Sequence, residues 1–71
     1  MNKEQHKEFM KLAALLREMH PEYRKGQAYF NALSMTDSQL AKEITGTDAD
    51  PFYDNSKIGR FFQFIYSHVK D

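Results

Sequence analysis

Apolar residues recur along the chain at intervals of three and four, and polar punctuation divides them into four helical segments. In residues 3–19, Phe9, Leu12, Ala13, Leu16 and Met19 share one face at 100° per residue. Met10 and Leu15 widen that stripe on opposite sides, as expected of a helix touching more than one neighbour. Asn2 is placed to cap the segment, and Gln5 completes a capping-box pattern. His20-Pro21 ends it, because the residue before proline is pushed out of the α region.

Proline suits the first position of a new helix and Glu22 favours its dipole, so a second helix is predicted over residues 21–35. Tyr23, Gly26, Phe30 and Leu33 form its inner face. Gly26 costs about 1 kcal/mol in a helix interior, and a close helix approach is the expected compensation. Thr36 or Asp37 caps a short helix over residues 38–45, with Gln39 at the capping-box position for Thr36. Leu40, Ala41 and Ile44 face inward, and Gly46 supplies the left-handed stop. Residues 47–55 read as a loop in which Pro51 cannot continue a helix. Asn55 or Ser56 starts the last helix, which reaches residue 69 with Ile58, Phe61, Phe62, Ile65 and Val69 on one face. Phe64 and Tyr66 lie off that face.

These patterns predict an all-α fold without a sheet. Residues 1–71 form one compact bundle of three longer helices plus one short helix, with an aromatic and acidic loop before the last helix. The expected core is Leu16, Phe30, Leu33, Ile44, Phe61 and Ile65.

A chain of 71 residues allows one domain and a modest core. With no cysteine, neither a disulfide nor a thiolate metal site contributes. Ten basic residues balance ten acidic ones, which argues against both a phosphate-gripping protein and an acidic DNA mimic. No apolar run approaches the ~20 residues that span a bilayer. The charged start (Lys3, Glu4, Lys7, Glu8) lacks the apolar region of a signal peptide. The chain therefore reads as a complete small open reading frame encoding a soluble, cytoplasmic protein.

Candidate chemistry is sparse. Asp48, Asp50 and Asp54 invite a calcium loop, but Phe52, Tyr53 and Gly59 fall where such a loop needs a ligand, a glycine and a glutamate. Caps and turns explain the aspartates better. His6, His20 and His68 have no metal-site spacing, and Ser34, Ser38, Ser56 and Ser67 lack a nucleophile signature. No enzyme, metal or cofactor is expected. Residues 38–44 resemble the first helix of a repressor-type helix-turn-helix, yet Gly46 comes one residue late and the next segment is acidic and proline-broken.

The spacing Arg24-x-Gly26-Gln27-Ala28-x-Phe30-Asn31-Ala32-Leu33 is followed by Leu40-Ala41, Ile44, Gly46-Thr47, Asp50-Pro51-Phe52-Tyr53, Ile58 and Phe61-Phe62. This combination resembles a family of small standalone helical proteins of bacteria and their phages with no assigned activity. The resemblance covers residues 23–65. It implies a self-contained helical domain of phage or mobile-element origin, and it carries over no catalytic residue.

Aromatic residues in a loop or off the inner face are candidate interface anchors. Phe52, Tyr53, Phe64 and Tyr66 meet that description, although Phe52 also suits a lid over the core. The expected partner surface comprises Arg24, Gln27, Asp50, Phe52 and Tyr53, unless Arg24 pairs with a loop aspartate and makes the patch structural. The resulting expectation is a non-enzymatic module binding an unidentified protein partner, with a small DNA-binding accessory protein as the alternative.

Overall fold

The computed structural model describes residues 1–70. Four α-helices follow one another: α1 Lys3–Met19, α2 Lys25–Thr36, α3 Ser38–Ile44 and α4 Ile58–Ser67, with a 3-10 turn Asn55–Lys57 leading into α4. No strand occurs among the described residues. An isolated parallel bridge joins Asn2 to Lys70.

The capping box of α1 forms as its sequence dictates: the Gln5 N–H donates to Asn2 Oδ1 at 2.8 Å and the Asn2 N–H to Gln5 Oε1 at 3.0 Å. Gln5 then reaches Thr36 O at the far end of α2, and Arg17 reaches the Tyr29 hydroxyl at 3.1 Å, so α1 and α2 run antiparallel. α4 closes the bundle against α1, where the Phe9 ring meets Phe61 at 6.0 Å and His6 meets Tyr66 at 6.1 Å. The ends of the chain lie together: the Met1 amino group donates to His68 O at 2.9 Å and the Lys70 N–H to Met1 O at 2.8 Å.

α2 begins four residues later than the Pro21 pattern predicts, at Lys25. Residues 21–24 make a turn instead, closed by the Tyr23 N–H on His20 O at 3.0 Å. His20 stabilises it from both sides, stacking on the Tyr23 ring at 4.5 Å and meeting Glu22 Oε2 at 3.0 Å. Local side-chain contacts thus outweigh the preference of proline for a helix start. Gly26 consequently lies in the first turn of α2, not in its interior.

The boundary between α2 and α3 belongs to Asp37, whose Oδ1 accepts the Leu40 N–H at 3.1 Å. Thr36 ends α2 and its hydroxyl turns back to Ala32 O at 2.9 Å, so it caps nothing. Gly46 takes the left-handed conformation at φ +78°, as the stop of α3 requires. α4 ends at Ser67, two residues before the expected Val69, where the chain turns to meet the N-terminal segment.

The core consists of Phe9, Ala13, Ala28, Ala32, Leu33, Leu40, Ala41, Ile44, Phe61 and Ile65, all buried. Four of the six predicted core residues are among them. Leu16 and Phe30 are half-buried at the edge, and Met19, expected inward, is exposed. On α2 the difference is one of which face turns inward. The buried stripe of α2 runs through Ala28, Ala32 and Leu33, and Phe30 lies about 160° round the helix from both alanines, so it falls at the rim of the stripe.

Candidate functional site

The segment from Gly46 to Asn55 is ordered by its own side chains. The Asp50 carboxylate accepts the Gly46 N–H at 2.8 Å and the Phe52 N–H at 3.1 Å. The Thr47 hydroxyl donates to Ile44 O at 2.7 Å and accepts the Ala49 N–H at 3.2 Å. Asp54 Oδ1 accepts both the N–H and the hydroxyl of Ser56, at 2.9 and 2.6 Å, starting the 3-10 turn. The Ser56 hydroxyl, its N–H and the charge of Lys57 hold the Asp54 carboxyl below the usual aspartate range. Asp50 and Asp54 are therefore occupied by turn chemistry. Among the described residues, no group of His, Asp and Glu is arranged to hold a metal ion.

Two contacts fix this loop to α2. The Gly26 N–H donates to Asn55 Oδ1 at 3.0 Å, satisfying one of the free donors at the helix start that Arg24 leaves uncapped. The Gly26 Cα lies directly on Pro51, so a Cβ there would come within 2.8 Å of the Pro51 carbonyl carbon and closer still to its oxygen. The approach predicted at Gly26 is thus real, but the partner is a loop proline and not a second helix. One turn further along α2, Phe30 meets the Phe52 ring edge-on at 5.7 Å and 88°.

The five expected interface residues divide accordingly. Phe52 is half-buried against Phe30 and acts as a lid at the edge of the core. Asp50 is half-buried and braces the loop. Tyr53 is 79 % exposed, with its ring supported by Phe52 at 4.7 Å. Arg24 and Gln27 flank Gly26, so its contact with Pro51 sets the start of α2 beside the loop. Arg24 is exposed and makes no ion pair with an aspartate among the described residues. The latch between α2 and the loop is made by Gly26, Pro51 and Asn55, and not by Arg24 with a loop aspartate. Asn55 and the buried Pro51 carried no sequence signal for this role, because their contacts join positions more than twenty residues apart.

The helix-turn-helix resemblance stops at α3. Its continuation is the irregular segment of residues 45–54, so no second helix follows at the position a recognition helix needs. An open cleft lies elsewhere, between the start of α1 and the end of α2, lined by Asn2, Glu4, Gln5, Glu8, Met35 and Thr36. No helix of the described residues is long and apolar enough to cross a membrane. In comparison with known proteins, no family model, no curated protein and no solved structure matches the chain.

Proposed function

We propose that the protein is a non-enzymatic, cytoplasmic interaction module that recognises a protein partner through the loop tip at Tyr53 and the adjoining start of α2. The observation that supports this reading is a largely exposed aromatic ring on a loop held by backbone and side-chain hydrogen bonds. An aromatic anchor on a stiff support loses little conformational entropy on binding, which suits recognition. Arg24 and Gln27 contribute polar contacts beside it, with Arg24 left unengaged by the loop aspartates. Phe52 and Asp50 support the surface from beneath. The resemblance to small phage and bacterial proteins extends the proposal to a mobile-element origin and a host protein as partner.

Affinity capture from bacterial host lysate, with mass spectrometry of the retained proteins, tests the reading through two variants. Tyr53→Ala and Arg24→Ala are expected to weaken capture of a specific partner with little change in melting temperature. Lowered melting temperature with capture retained in the folded fraction would assign the patch to stability and overturn the proposal.

A further inference from the structure

The exposed side of α1 carries a pattern that the fold leaves unused. Glu8, Leu12, Leu15 and Met19 follow one another at intervals of four, three and four, which is the spacing of a coiled-coil seam. The core-facing residues of α1, Phe9 and Ala13, lie to one side of this seam. Leu15 is 48 % and Met19 62 % exposed, and Leu12 is half-buried between them and the core. Lys11 and Glu18 stand one heptad apart on the solvent side of the seam, and neither has an ion-pair partner among the described residues.

We propose that a second copy of this chain docks on this seam, α1 against α1 in antiparallel orientation. The charges select both the occupant and the direction. In an antiparallel pair, Leu12 of each copy meets Leu15 of the other, and Glu8 falls opposite Met19. Lys11 of each copy then falls beside Glu18 of the other, because flanking positions of the same type face one another in that arrangement. One copy therefore supplies the complement of the other twice over. A parallel pair would instead set Glu8 against Glu8 within the seam and leave Lys11 and Glu18 without partners. The seam spans residues 8–19, roughly 18 Å at 1.5 Å per residue, which is short for a permanent interface. The association is accordingly weak and concentration-dependent. It stands independently of the loop reading, since Tyr53 belongs to a different element.

Sedimentation equilibrium of the full chain from about 20 µM to about 1 mM, a range suited to weak association, tests the proposal. The average mass is expected to rise toward twice the monomer mass. Leu15→Glu, at an exposed position, is expected to weaken association at least about tenfold, since it sets a charge against Leu12 of the other copy at the apolar centre of the seam. Lys11→Glu is expected to weaken it about threefold or more, the scale of two exposed ion pairs, and the double exchange K11E/E18K to restore it. Melting temperatures of the variants within a few degrees of the parent confirm that folding is not the cause. A monomer at about 1 mM, an unaffected Leu15→Glu variant, or a double exchange no better than Lys11→Glu would each overturn the proposal.

Discussion

Gly26 and Pro51 meet backbone to backbone: the bare Cα of the one rests on the carbonyl of the other, and no space exists for a side chain between them. Gly26→Ala therefore sets two effects against each other. Alanine improves helix propensity by up to about 1 kcal/mol, less in a first turn, while its Cβ collides with peptide atoms that cannot rotate away. The collision wins, and the variant is expected to lose about 1–3 kcal/mol in urea denaturation. Gly59, in α4, provides the control, because nothing lies within 4 Å of a Cβ built there. Gly59→Ala is expected to be neutral or to gain about 0.5 kcal/mol. Equal effects at both glycines would refute the close-contact account.

Truncation of the aromatic residues is expected to follow burial and not helix-face pattern. Phe61 is fully buried beside Phe9, so Phe61→Ala is expected to cost ~3–5 kcal/mol and to leave a marginal domain largely unfolded. Phe30 is half-buried and meets only the rim contact with Phe52 in the aromatic set, so Phe30→Ala is expected to cost roughly half as much. Thermal melts of the two variants side by side distinguish this from the uniform core that helix periodicity alone implies.

Asp54 gives the loop a pH dependence of defined sign. Its folded-state carboxyl lies below the ordinary value of 3.8, through the Ser56 hydroxyl and then the Ser56 N–H. Stabilisation by the ionised form is therefore fully present above 3.8 and disappears as pH falls through the lower folded value. Denaturation of the parent and Asp54→Asn from neutral pH downward should show the parent's advantage closing on the acid side. An advantage that persisted unchanged below that range would place it in packing and not in charge.

Tight binding to duplex DNA is not expected. The chain has ten basic and ten acidic residues, and an acidic loop stands where a recognition helix would follow α3. A fluorescence anisotropy titration with random duplex at near-physiological salt checks this. Sub-micromolar affinity that fell steeply with added salt would favour the nucleic-acid reading.

Most of the helical architecture is legible in the sequence because its signals are local. Asn2 with Gln5, Asp37 before Leu40, and Gly46 after Ile44 each act on backbone groups within a few residues, and each has the effect its position implies. The strong periodicity of Phe61 and Ile65 likewise names the buried face of α4. The candidate site was legible as an aromatic, proline-bearing loop, but which of Phe52 and Tyr53 is exposed was not, because that depends on packing against α2.

The start of α2 shows where local reading ends. By itself the sequence determined that helices form, how α1 is capped, that Thr36 or Asp37 begins α3, and that a proline-bearing loop precedes α4, since propensity and capping energies depend on neighbours along the chain. Only the tertiary structure decided that Gly26 serves Pro51, that Asn55 caps the helix Arg24 leaves open, and that α2 buries Ala28 and Ala32 while Phe30 stays at the rim. Those outcomes rest on which surfaces approach closely enough to exclude a side chain or to share a hydrogen bond, and that is set by packing across the fold, which spacing along one helix does not encode.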